Sequence, residues 1–270
     1  MVQLPISIQI IIVFIFGICL GSFLNVCIDR LPKGESIVHP GSHCPYCQKP
    51  IPWYLNIPLL SWLYLKGQTK CCQNTIPFRY FLSEIGVGIG AITIYLYFKQ
   101  LALPHFLLFC FLWVAFFTDL NTLLIPDEIS LLGITTGVLI SYFFPQMHHQ
   151  TNAFTGMLES IKCTCLGMGG LFCFICFAEF FLKKEAMGLG DVKLIGCIGA
   201  FLGLEGCMFS LFFGAILGSF LLILYGLYKK IVSKNYVSLK NKCIPFGPFL
   251  TIAAIIYMFF PHTFLNFTFE

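Results

Sequence analysis

Long apolar runs separated by short polar ones dominate this 270-residue chain. Runs near 6–27, 79–98, 102–118, 128–144, 160–182, 190–204, 207–228 and 245–261 are almost free of charge. A helix needs about 20 mostly apolar residues to cross roughly 30 Å of hydrocarbon. The pattern therefore predicts an all-α polytopic membrane protein with about eight transmembrane helices. None of the runs alternates apolar and polar positions as a membrane barrel strand does. Several are short, 190–204 in particular, which leaves room for a re-entrant or tilted segment. The first run is long for a signal peptide, has no basic residue before Arg30 and lacks a small-residue cleavage site, so it is expected to stay as a helix.

Composition agrees, with 58% hydrophobic residues, 10% charged residues and a mean hydropathy of +0.86. Charge adds orientation. Arg30, Lys33, Lys49, Lys66, Lys70 and Arg79 follow the first run, and Lys183, Lys184, Lys193, Lys229, Lys230, Lys234, Lys240 and Lys242 fall on the same side of an eight-span layout. The opposite side receives Lys99 and Lys162. Basic residues concentrate on the cytoplasmic side, so the loop after the first helix is expected to be cytoplasmic and both termini outside. The net charge of +4 is accounted for by a basic face beside anionic lipid, with no nucleic-acid partner. Three regions follow: a first transmembrane helix (1–28), one polar, cysteine-containing cytoplasmic loop (29–78), and a multi-helix membrane core (79–270). Gly196, Gly199, Gly203, Gly214 and Gly218 have the spacing of close helix packing.

Ionisable groups inside membrane segments are costly and mark candidate sites. Asp119, in "FFTDLNTLLIPDEIS", and Asp191, in "AMGLGDVKLIG", reach the same inner depth from different helices. Two carboxylates brought together resist simultaneous ionisation, so one can draw a proton from water while the other hydrogen-bonds a peptide carbonyl. Gly188 and Gly190 would let a substrate backbone approach and let the chain turn. Spacing alone leaves a second reading of Asp191 open, an N-terminal helix cap favoured by the helix dipole. Asp127 and Glu128 read as first-turn acids, while Glu84 and Glu179 lie deeper and call for partners. Lys193 either partners a nearby acid or reaches the interface. A different class, an ion-coupled transporter, would use Asp119 and Asp191 to bind a cation or proton, although carrier acids sit nearer the midplane.

"GSFLNVCIDRLP" (21–32), "HCPYCQKPIPWYLNIPLLSWL" (43–63), "TDLNTLLIPDEIS" (118–130), "MGLGDVKLIG" (187–196) and "IPFGPFL" (244–250) together resemble the prepilin peptidases, or type IV leader peptidases. The resemblance is ordered and covers nearly the whole chain. It implies an aspartyl endopeptidase of the bacterial inner membrane that removes the basic leader of prepilins and pseudopilins after a glycine, on the cytoplasmic side. Asp119 and Asp191 match the family's two catalytic aspartates, and 79–270 becomes the peptidase core. Many members also methylate the new N-terminus with S-adenosylmethionine, so a peptidase that cuts without methylating is the alternative. No nucleotide fingerprint is visible, since "GMGG" at 167–170 lies in a membrane helix rather than a βαβ unit. Asn25 and Arg30 match family positions, but a polar helix contact and an interfacial anchor also account for them.

"CPYC" puts Cys44 and Cys47 at metal-ligand spacing. The family's second pair is again Cys-x-x-Cys. Aligning Gly67 and Ile76 puts Cys72 on its fourth cysteine but Thr69 on its third. Zinc would then need Cys71, by a local shift, or His43, and the adjacent ligands Cys71 and Cys72 are expected to be awkward around one tetrahedral ion. The competing reading is reduced thiols in a reducing compartment. Cys163, Cys165, Cys173, Cys176 and Cys197 read as small hydrophobes.

Overall fold

The computed structural model describes residues 4–183, 187–232 and 245–261, so Lys184 and the basic stretch Lys234 to Lys242 lie outside the described residues. Among the described residues the regular structure is helical: α1 (Ile6–Arg30), α2 (Leu60–Tyr64), α3 (Phe78–Phe98), α4 (Ala102–Thr122), α5 (Asp127–Phe143), α6 (Ala153–Leu182), α7 (Leu189–Val232) and α8 (Gly247–Phe259). Each apolar run of the sequence falls on one of these helices. Four stretches, Ile6–Lys33, Phe78–Thr122, Ala153–Phe181 and Leu189–Tyr228, are long and apolar enough to cross a membrane. Phe78–Thr122 holds both α3 and α4, so helix boundaries do not fix the number of crossings.

The chain divides into two compact units, the first ending at Cys110 and the second beginning at Phe111. In the first, α1 packs on α3. Small residues let the backbones approach: a Cβ on Gly17 would lie 2.8 Å from Gly88 Cα, and one on Gly21 would lie 3.0 Å from Glu84 Cα. Val87, Ala91 and Ile94 fill the seam from α3, with Leu24 and Ile28 from α1. Arg30, at the end of α1, organises the loop that follows: Nη1 donates to the carbonyls of Ser36 (3.0 Å) and Pro40 (2.8 Å), and Nη2 to that of Gly41 (3.3 Å). It is therefore more than an interfacial anchor.

In the second unit α7 packs against α5, α6 and α8. Leu194, Ile195, Ile198 and Phe201 of α7 and Leu250, Ala253 and Ala254 of α8 are buried there. The packing expectation holds for Gly196, whose Cβ would meet Met168 at 2.5 Å, and for Gly199, Gly214 and Gly218. Gly203 departs from it. Its φ of 74° and ψ of −174° are non-helical and break α7, with nothing nearer than His148 Nδ1 at 3.8 Å to a Cβ. The separate runs 190–204 and 207–228 are thus two arms of one broken helix. One turn before the break, the Ala200 carbonyl meets outside partners: Ser160 Oγ donates to it at 2.8 Å, and buried His148 Nε2 lies at 3.1 Å. Side chains from other segments supply a broken helix in this way when no water is at hand.

Candidate active site and metal centre

The second unit carries the aspartates. α4 ends at Thr122, where Leu123 takes a positive φ and its N–H bonds Asp119 O at 2.9 Å, so Asp119 occupies the last turn. α7 starts at Leu189, which puts Asp191 in its first turn and gives the cap position to Gly188. Asp191 is therefore inside the helix, and its N–H bonds Gly188 O at 3.2 Å. Both side chains are buried, the residues being 6% and 9% exposed, and they lie within electrostatic reach of each other. Two buried acids from separate helices thus converge at one place.

A third element completes the site. The first N–H groups of a helix have no acceptor within it, and the N–H of Gly247, at the start of α8, donates to Asp119 Oδ2 at 2.8 Å. A Cβ at Gly247 would stand 2.7 Å from that oxygen, so the contact requires glycine. Within "IPFGPFL" the sequence alone gives this glycine no task. Its only signal there is a Gly-Pro step opening an apolar run.

The remaining candidates separate. Lys193 Nζ donates to Asp127 Oδ1 at 2.6 Å, joining the N-terminal ends of α7 and α5, so the partner of Lys193 is Asp127 rather than Asp191. Gly190 faces Ile125, whose Cβ would be 3.2 Å from a Cβ added there, so its smallness admits the loop between α4 and α5. Gly188 is exposed and leaves open space, with Asp191 Oδ2 as the nearest atom at 3.9 Å.

The first unit holds the cysteines. Two loops fold as matching knuckles: Cys44 N–H bonds Lys49 O and Gln48 N–H bonds Cys44 O, while Thr69 N–H bonds Asn74 O and Gln73 N–H bonds Thr69 O. Gln48 and Gln73 share the left-handed turn at φ 59° and 55°. Thr69 thus stands where the second knuckle would carry a cysteine. Adjacent Cys71 and Cys72, expected to be awkward around one ion, do come together: all four sulfurs, of Cys44, Cys47, Cys71 and Cys72, lie within 4.8 Å of one another. Both side chains point to the cluster, with Cys47–Cys71 at 3.2 Å, Cys44–Cys72 at 3.6 Å and Cys71–Cys72 at 3.8 Å. Zinc–sulfur bonds of about 2.3 Å in a tetrahedron give sulfur separations of about 3.8 Å, so the set fits one ion. His43 bonds Gly41 O and Arg30 instead of joining it. Burial raises the Cys44 thiol, but the N–H groups of Cys47 and Tyr46 and the thiols of Cys71 and Cys72 outweigh it and bring Cys44 down to about 6. The hydrogen bond to Cys47, then burial, pushes Cys71 up to about 12. The hydroxyl of Thr69 lowers Cys72.

Polar groups of α1 and α3 pair within the first unit. Glu84 Oε2 accepts the N–H of Leu59 at 2.7 Å. Asn25 donates to Tyr80 O at 3.2 Å, and Asp29 is bound by both Arg79 and Tyr80. In the sequence Asp29 and Tyr80 look like ordinary interface residues, and Arg79 like one more basic residue of the loop.

Comparison with known proteins bears on both units. Residues 106–223 match the model of the type IV leader peptidase family, and residues 15–98 match that of the bacterial peptidase A24 N-terminal domain. A prepilin leader peptidase/N-methyltransferase of Aeromonas hydrophila is 31% identical over 274 residues, covering 91% of this chain and 88% of that protein. One from Dichelobacter nodosus is 30% identical, covering 94% and 91%. A type 4 prepilin-like proteins leader peptide-processing enzyme of Escherichia coli is 31% identical, covering 88% and 89%. No solved structure matches.

Proposed function

The chain belongs to the type IV leader peptidase family, and from that premise we propose that it is a membrane aspartyl endopeptidase that removes prepilin leaders and then methylates the new N-terminus. The observation that carries the peptidase reading is the convergence of Asp119 and Asp191, both buried and each at the end of a long apolar helix. One carboxylate takes a proton from water as the water oxygen attacks the scissile carbonyl carbon. The other, protonated, hydrogen-bonds the carbonyl oxygen, and the leaving amine collects the proton as the C–N bond breaks. Gly247 fixes the direction of Asp119, and the open space at Gly188 leaves room beside Asp191 for a peptide backbone.

The membrane in question is the bacterial inner membrane, with the basic loops and both aspartates at its cytoplasmic face and both termini outside; the asymmetry of lysine and arginine supports this. Cleavage is assigned to the second unit and methylation to the first. S-adenosylmethionine, when bound there, would supply the methyl group for the new N-terminal amine. Zinc, held by Cys44, Cys47, Cys71 and Cys72, ties the loop of the first unit together. Substrates are prepilins or pseudopilins, whose apolar helices share the lipid with the enzyme.

The test is leader removal followed by mass spectrometry of the product's N-terminus, with and without S-adenosylmethionine. Asp119→Asn and Asp191→Asn should each abolish cleavage while the protein stays folded in membranes. Cleavage retained in either variant would overturn the dyad.

A further inference from the structure

The first unit contains a cavity of about 550 Å³, within the range of small-molecule sites. It opens among the cysteine knuckles, α2 and the facing ends of α1 and α3, and three kinds of chemistry meet on its wall. Trp62 lines it and packs on Phe81, with ring centroids 4.8 Å apart, and on Phe78 at 5.5 Å. Two carboxylates line it in fixed positions. Glu84 is 8% exposed and held by Leu59 N–H and by the Ser22 side chain, and Asp29 is held by Arg79 and Tyr80. The third kind is unspent donors: Trp62 Nε1 and Arg79 Nη1 are buried with no partner. Buried donors without acceptors are rare in folded proteins, and two on one cavity wall point to an absent ligand.

We propose that this cavity binds S-adenosylmethionine, with Glu84 facing its positive charge, Trp62 against its planar base and Arg79 toward its carboxylate. The proposal rests on the methylating reading above. The ligand carries a sulfonium, an ammonium, a carboxylate and an aromatic base, and the wall offers a complement to each. A buried carboxylate is costly unless a cation or hydrogen bonds compensate it, and an aromatic face also favours a sulfonium. A bare peptide amine would meet Glu84 but would leave both donors unused.

Isothermal titration of the full-length protein in detergent, with S-adenosylmethionine and with S-adenosylhomocysteine, tests this. The second ligand keeps the base and the amino-acid end but has an uncharged sulfur. Wild type should bind both, the charged ligand more tightly. Trp62→Phe, which keeps a ring and removes the donor, should weaken both by about ten-fold. Glu84→Gln should weaken the charged ligand more and shrink the preference between the two, which a merely structural defect would not do. Helical content, read by circular dichroism, is matched across the proteins. Binding by wild type with unaltered affinities and preference in both variants overturns the cavity assignment and leaves methylation standing. A wild-type protein that cleaves but neither binds the donor nor methylates overturns the methylating reading and the cavity with it.

Discussion

Gly247 shows how little space the aspartyl site leaves. Its N–H donates to Asp119 Oδ2, and the hydrogen on its Cα is the largest group that fits 2.7 Å from that carboxylate oxygen. Gly247→Ala should therefore push the Asp119 carboxylate or the start of α8 aside. A displacement of about 1 Å at a reacting group costs on the order of 100-fold in rate, so leader removal should fall by about that factor at unchanged protein level, measured by the rate of prepilin conversion. The aspartates themselves were legible because a charge in an apolar run is costly and marks a candidate site, although spacing alone also allowed Asp191 to be a helix cap. The partner of Lys193 was not. Asp127 lies 66 positions away, and only the turn after α4 brings it to α7. That pair is also half exposed, and such ion pairs contribute about 0–1 kcal/mol, so it fastens two helix starts without dominating the site.

At the scale of helices, the long α7 depends on an interruption. In the sequence Glu205 and Gly206 separate the runs 190–204 and 207–228, and Gly203 looks like the four other glycines expected to serve packing. Backbone conformation is what distinguishes it. The values at Gly203 belong to a region open essentially to glycine, costing other residues about 1–3 kcal/mol. Space is not the obstacle, since no atom approaches a Cβ there within 3.8 Å. Gly203→Ala should thus destabilise the fold by about 1–3 kcal/mol through the backbone alone, read as a lower thermal-unfolding midpoint in detergent. The hydrogen bond from Ser160 to Ala200 O lies on the N-terminal arm and should hold Asp191 in register, so cleavage at low temperature should persist. If cleavage is lost at an unchanged midpoint, the break serves catalysis rather than stability.

Across the molecule, the division of labour proposed above assigns cleavage and methylation to different compact units, and the cysteine cluster falls wholly in the first unit. Its geometry was the part least legible in the sequence. Alignment on Gly67 and Ile76 put Thr69 in place of a cysteine, and Thr69 does take the same position in its knuckle as Cys44 in the other, but spacing alone makes neighbouring ligands look awkward and does not show that the folded loop gathers all four sulfurs. The loop also lacks a core of its own. Tyr46, Trp53 and Tyr64 are exposed, while Cys44, at 1% exposure, is buried among its fellow cysteines. A segment so poor in buried apolar surface depends on cross-links, and a structural zinc contributes its binding free energy to folding. Stripping the metal with a strong chelator, or replacing Cys44 by serine, should therefore loosen residues 42–76 first. Limited proteolysis should cut there faster, with zinc protecting the wild type and not the variant. Methylation should fall with the loop, because the walls of the donor cavity include its knuckles. Leader cleavage should continue at a comparable rate, because every side chain given a part in it lies beyond Cys110. Equal loss of cleavage and methylation on chelation would mean that the two units do not work independently, and the division of labour drawn from their compactness would fail.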